Sequence, residues 1–149
     1  MADNTDVLLK LYEEQCNQGR NCESQRSIVT NLIFTVSFGI IGLLVQKDFI
    51  PESLPLAFLI IVLGIYGGIM SAKLYERWQF HMTRARYYRR RIEELNPDTQ
   101  VEQLTMKSND EHNQQHSIFS KIRIHWIWVT LYIFIIMTGI ASVIFIVTR

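Results

Sequence analysis

The sequence predicts an all-α integral membrane protein with three transmembrane helices and a long cytoplasmic helical extension. Three apolar segments, residues 27–46, 54–72 and 124–147, contain no Asp, Glu, Lys or Arg. Each is long enough to cross a hydrocarbon core of roughly 30 Å at about 1.5 Å per helical residue. A soluble domain made from 149 residues could not bury so much uninterrupted apolar surface, so a membrane protein is predicted.

The distribution of basic residues predicts the orientation of these spans. Of the 15 lysines and arginines, only Lys47 and Arg149 fall outside the segments that precede span one or separate spans two and three. Basic residues are retained on the cytoplasmic side of membranes. Residues 1–26 and 73–123 are therefore expected in the cytoplasm, with the short loop 47–53 and the C-terminus outside. An acidic, polar segment precedes the first apolar run, which argues against a removable signal peptide.

Glycine and proline positions predict where the second helix ends. No proline or glycine occurs between Gly68 and the Asn96–Pro97 pair, and apolar residues keep a spacing of three and four up to Leu95. Span two is therefore expected to continue as a cytoplasmic helix, since that spacing places one apolar face along a helix.

Two capping-box patterns follow this helix. Thr99 and Ser108 each precede a glutamate by three residues, Glu102 and Glu111 respectively. Such pairs satisfy free backbone amides at the start of a helix. They predict a short helix, a break, and then a helix that enters span three.

Small and polar residues recur every three or four positions along span one and form a stripe over its full height. In lipid, such a stripe normally faces another helix, because small residues permit close approach and polar side chains bond across the contact. The alternative is that part of the stripe lines a water-filled passage in an oligomer. Both interpretations predict damage from Asn31→Leu. The stripe comprises Ser27, Asn31, Thr35, Gly39, Gly42 and Gln46.

Span two carries a predicted packing seam of small residues, Gly64, Gly68 and Ala72. Residues of this kind at a spacing of four allow two helices to pack backbone to backbone. The seam predicts a helix contact without identifying the partner helix.

Basic residues interleaved with tyrosines form an arginine cluster on the predicted cytoplasmic helix. Guanidinium groups bind phosphate, and tyrosine rings stack on bases, so a lipid headgroup, a nucleotide or a nucleic acid are candidate ligands. The alternative is a solvated helix face paired with glutamates or with an adjacent subunit. A partner protein or nucleotide signal is expected here, and nucleic acid is disfavoured. The candidates are Arg84, Arg86, Tyr87, Arg89, Arg90 and Arg91.

No motif in the sequence indicates an enzyme, and no cofactor or metal is expected. His112 and His116 lie four residues apart, but two ligands do not make a metal site, and an exposed polar helix is the favoured interpretation. Cys16 and Cys22 are interpreted as free thiols in a reducing compartment. His125 is assigned to an interfacial aromatic belt. The belt also includes Tyr75, Trp78, Trp126 and Trp128.

A polar N-terminal helix, a tight hairpin of two spans and the basic helix that follows them, residues 71–95, resemble the SLATT-like superfamily of small bacterial membrane proteins. The resemblance covers roughly residues 8–95, while span three departs from the two-span pattern. It implies an oligomeric, pore-forming effector of antiviral defence in a bacterial inner membrane. The alternative is a non-catalytic membrane adaptor that anchors or recruits a soluble partner enzyme.

Overall fold

The computed structural model describes residues 4–116 and 124–148, and within these ranges the chain is helical with no strand. Its α-helices are α1 (Asn4–Gln46), α2 (Leu54–Leu95), α3 (Val101–Gln115) and α4 (Ile124–Thr148). Helices α1, α2 and α4 are long and apolar enough to cross a membrane. The prediction of an all-helical chain with three candidate spans is confirmed. Residues 1–3, the approach to span three over residues 117–123, and Arg149 lie outside the described residues.

The chain divides into two compact units. One, the span unit, comprises Ser24–Tyr75 and Ile124–Arg149. The other, the extension unit, comprises Met1–Glu23 and Glu76–Arg123. The apolar segments 27–46, 54–72 and 124–147 thus belong to one unit, while the arginine cluster and α3 belong to the other.

Each helix of the span unit buries a single row of residues separated alternately by three and four positions. This seven-residue repeat is typical of helices that pack side by side along their length. Leu44 and Ile60 are fully enclosed, so the centre of the unit is filled by side chains. The buried rows are Arg26, Thr30, Ile33, Ser37, Ile40 and Leu44 on α1; Ala57, Ile60, Gly64, Gly67 and Ser71 on α2, preceded in the same register by Ser53 of the 3-10 turn; and Tyr132, Ile135, Gly139, Ser142 and Ile146 on α4.

The outer faces of the span unit are apolar. Ile28, Ile69 and Val147 are all more than 60% exposed, with many similar side chains around them. A continuous apolar surface of this kind is unfavourable in water and is expected where lipid is the solvent. The exposed faces therefore agree with the hydropathy of the helices.

The turn between α1 and α2 is tight and is anchored by Phe49. Asp48 and Phe49 both have left-handed backbone conformations, with φ of 51° and 52°. Phe49 packs against the core and meets Phe145 of α4 edge-on, with ring centroids 5.1 Å apart. This packing offsets the cost of a left-handed conformation at a bulky residue. Pro51 then begins a single 3-10 turn before α2.

The extension unit brings α1 and α2 together at small residues. Gly19 and Ala85 are the buried residues among those described in this unit. A side chain at position 19 would collide with the end of Met82, so glycine allows the close approach. His81 Nδ1 also lies 2.9 Å from Gln15 Oε1, which fixes the register of the two helices.

The start of α3 differs from the capping-box predictions. Thr99 Oγ1 donates to the carbonyl of Asn96 at 2.7 Å instead of capping α3. The backbone amide of Glu102 is satisfied by Glu93 Oε1, at 2.9 Å, from the last turn of α2. The predicted break at Ser108 is wrong, because that residue lies inside α3. A carboxylate from the preceding helix therefore does what the local hydroxyl was expected to do.

Candidate functional site

A buried arginine lies between all three helices of the span unit. Arg26 of α1 is only 3% exposed. Its guanidinium carbon lies 4.9 Å from the ring centroid of Trp128 on α4 and 5.7 Å from that of Tyr75 on α2. A cation over aromatic faces is attracted by their quadrupoles, most strongly when water is excluded. Arg26 therefore connects the three helices through its charge.

A hydrogen-bonded pair lies beside this arginine. Thr30 Oγ1 donates to the carbonyl of Arg26 at 2.7 Å, so its remaining capacity is that of an acceptor. The hydroxyl of Tyr132 lies 2.6 Å from Thr30 Oγ1 and donates to it. Tyr132 is itself buried, and its ring occupies the space that glycine leaves at position 67. The polar end of Tyr132 is thus satisfied inside an apolar bundle.

Three residues of the predicted aromatic belt pack together in the span unit: Tyr75 and Trp128 lie against Arg26, and His125 lies against Tyr75. Tyr75 and His125 stack with centroids 4.2 Å apart and an angle of 11° between their planes. Trp128 contacts Arg26, whereas Trp126 is exposed. We call the set Arg26, Thr30, Tyr75, His125, Trp128 and Tyr132 the arginine–aromatic layer. It draws residues from all three helices of the span unit.

The predicted stripe of span one lies on the opposite side of α1 from this layer and from the core. Asn31, Thr35, Gly39, Gly42 and Gln46 are all exposed, and Ser27 is half-buried. A Cβ atom added at Gly39 or Gly42 would meet no atom of residues 4–116 and 124–148 within 4 Å. Contacts within the chain therefore do not explain why these positions are small or polar.

The predicted seam of span two is only partly used by the chain. Gly64 is buried, because a Cβ there would lie 2.6 Å from Ile136 Cγ1 of α4. Gly68 has only ordinary contact with Tyr132, and Ala72 is exposed. Gly67, which the sequence places beside the seam, is the second enclosed glycine of α2. The predicted seam continues from Gly64 in steps of four, whereas the buried row of α2 alternates steps of four and three and therefore passes through Gly67 instead of Gly68.

The arginine cluster is spread around α2 in the extension unit. Arg84 stacks on Phe80 at 4.3 Å, and Arg91 forms an ion pair with Glu94 at 2.6 Å. Arg86 and Arg90, with the exposed Tyr87, line a shallow cavity of about 180 Å³. Arg89 is half-buried and faces α1 at Tyr12. The six predicted residues therefore belong to at least three different surroundings.

The remaining chemical groups show no metal site in residues 4–116 and 124–148. His112 of α3 and His116, the residue that follows its end, are both exposed, with ring centroids 5.0 Å apart. No group of three or more His, Cys, Asp or Glu residues is close enough to hold an ion in those ranges. Cys16 and Cys22 are free thiols, both half-buried.

Arg26 is the residue that sequence reasoning missed as a site. It was counted among the basic residues that flank span one. A signal was present, since Arg26, Thr30, Ile33 and Ser37 follow the same alternating steps as the apolar residues that continue the buried row.

Comparisons with protein-family models, with curated proteins and with solved structures yield no match to this chain. The fold of the described residues therefore defines its class. It is an all-helical protein with three helices long and apolar enough to cross a membrane.

Proposed function

We propose that the chain is an oligomeric, non-catalytic effector of anti-phage defence that disrupts or permeabilises a bacterial inner membrane. Its extension unit would receive a signal in the cytoplasm, with the N-terminus inside and the C-terminus outside. The observation that carries the proposal is the outward stripe of α1, where Asn31 and Thr35 are exposed on a candidate span.

The argument begins with the cost of an exposed amide in lipid. Asn31 has two donors and an acceptor that hydrocarbon cannot satisfy, which is unfavourable by several kcal/mol in the absence of a partner. A second copy or water in a passage between copies removes this cost. Gly39 and Gly42 continue the same face and allow another helix to approach closely. Each solution requires more than one copy.

The filled centre of the span unit supports the same conclusion. Leu44, Ala57 and Ile60 are completely enclosed, so the described helices of one chain leave no lumen for water between them. A passage would therefore run between copies, with α1 as its wall and α2 and α4 behind it. The resemblance of residues 8–95 to the SLATT-like superfamily supports the defence role.

Leucine substitutions on the stripe test this assembly. Asn31→Leu and Thr35→Leu are expected to weaken the oligomer by about 1 kcal/mol per contact, or roughly fivefold, because polar contacts between helices are of that size. Mass measurement in nanodiscs reports the copy number, and dye release from liposomes reports the leak. Both should fall together.

Thr130→Leu is the matched control, because Thr130 is an exposed threonine on α4. Its assembly and leak should equal those of the unchanged protein. A monomer that does not leak, or an oligomer whose copy number and leak are unchanged by Asn31→Leu, would exclude the effector function.

The alternative of an adaptor is favoured by exposed Tyr87, which is 67% accessible beside Arg86 and Arg90. In that case Tyr87→Ala should abolish partner binding while the stripe variants retain it.

A further inference from the structure

A groove of about 400 Å³ runs along the line where α1 and α2 meet in the extension unit. Tyr12 and Cys16 line it from α1, and Trp78, Arg86 and Arg89 line it from α2. A second cavity of about 300 Å³ shares Cys16 and Trp78 with the first. Both volumes fall within the range of small-molecule sites, roughly 300–1,000 Å³.

The groove is positively charged. The hydrogen bonds of Arg86 are long and stay within its own helix, 3.3 Å to the carbonyl of Met82 and 3.4 Å to Thr83 Oγ1. Neither Arg86 nor Arg89 has an ion pair within the described ranges. The adjoining cavity adds Arg20 together with one carboxylate, that of Glu23. These guanidinium groups are suited to an anion with several oxygens, since arginine binds phosphate through paired N–H donors.

Two aromatic rings face the groove from opposite helices. A hydrogen bond to the Cys16 thiol, with burial, raises the pKa of Tyr12 above its usual value, although Arg89 opposes the shift. Tyr12 is therefore a neutral phenol at physiological pH and does not repel an anion. Tyr12 and Trp78 offer the kind of surface on which nucleobases stack.

We infer that this groove binds a nucleoside phosphate, with its base against Tyr12 and Trp78 and its phosphates on Arg86 and Arg89. The presence of both arginines and aromatic rings indicates the ligand class, because a lipid headgroup or free phosphate would contact the arginines without stacking on the rings. The inference names the signal of the proposed effector and rests on that function for its consequence. Binding itself requires only the extension unit's geometry.

Calorimetry of the full chain in nanodiscs tests the site, with ATP, GTP, CTP and UTP as probes. At least one should bind with a submillimolar Kd and more tightly than tripolyphosphate or the free nucleoside. Arg89→Gln should weaken it about tenfold or more, because a charged hydrogen bond is lost. Arg84→Gln is the matched control and should change the Kd less than twofold, since Arg84 stacks on Phe80 outside the groove.

Alkylation of Cys16 gives a local readout. In a Cys22→Ser background Cys16 is the remaining thiol. The tightest probe should slow its reaction with N-ethylmaleimide, and Arg89→Gln should abolish that protection while circular dichroism shows an intact helix content. Absence of binding by all four nucleotides up to 1 mM, or equal losses in Arg84→Gln and Arg89→Gln, would overturn the inference. If a nucleotide binds but liposomes do not leak, the binding site is supported and the proposed effector function is excluded. If the protein assembles and leaks but binds no nucleotide, the effector function is supported and the binding site is excluded.

Discussion

Arg26→Ala is expected to lower the stability of the span unit by about 2 kcal/mol or more. The change removes the cation from the faces of Trp128 and Tyr75, which lie 4.9 and 5.7 Å from the guanidinium carbon. It also leaves a void between three helices, because Arg26 is almost completely enclosed. Desolvated cation–π contacts and the loss of buried side-chain volume both act in the same direction, towards unfolding.

The measurement is the apparent Tm of the detergent-solubilised protein, followed by circular dichroism. The Tm of Arg26→Lys should lie between that of Arg26→Ala and that of the unchanged protein, because an ammonium retains the charge but loses the planar stacking of a guanidinium. Arg20→Ala is the matched control, since Arg20 lies on the same helix and is exposed. If Arg26→Ala has the same Tm as the unchanged protein, the arginine–aromatic layer does not hold the three helices together.

The helices themselves could be predicted from the sequence because their signals are strong and local. Uninterrupted apolar runs define the three candidate spans, and the Asn96–Pro97 pair ends α2 after Leu95. A proline disfavours helical conformation in the residue before it, which makes such an end readable without any tertiary contact.

The face that each helix buries could not be predicted in the same way. On α1, the stripe containing Asn31 and Gly39 recurs at steps of four, four, four, three and four, and the row containing Arg26 and Ile33 at steps of four, three, four, three and four, so both follow one face of a helix. Hydrophobicity does not separate them, because the exposed face of a membrane helix is as apolar as its core. Only the contacts made by α2 and α4 select the row that is buried, and they select the one that contains the charged residue.

The start of α3 depended on a contact that local patterns do not encode. Glu93 comes from the last turn of α2 and caps the amide of Glu102, nine residues later. The capping-box pattern at Thr99 considers only residues within one turn. The chain reversal after α2 brings the carboxylate of Glu93 close to this amide, and that contact can be recognised only from the three-dimensional structure.

A close backbone approach of α2 and α4 predicts a second large effect, at two glycines. A Cβ at Gly64 would lie 2.6 Å from Ile136 Cγ1 and 3.2 Å from the backbone nitrogen of Ile136. Gly139 is the reciprocal case, 2.6 Å from Ile61 Cγ1 and 3.1 Å from the backbone nitrogen of Ile61. A side-chain atom can rotate away, but a backbone atom cannot, so each alanine forces the helices apart.

Gly64→Ala and Gly139→Ala are each expected to cost about 1–3 kcal/mol, the usual range for overpacking. The double variant should cost less than their sum, because one separation of α2 and α4 relieves both clashes. Gly68→Ala is the matched control on the same helix: its nearest contact is Tyr132 Cβ at 3.8 Å, so it should be neutral or gain from alanine's helix propensity. Thermal unfolding in detergent measures all four proteins. Equal melting of the Gly64 and Gly68 variants would show that the two helices do not meet at this pair of glycines.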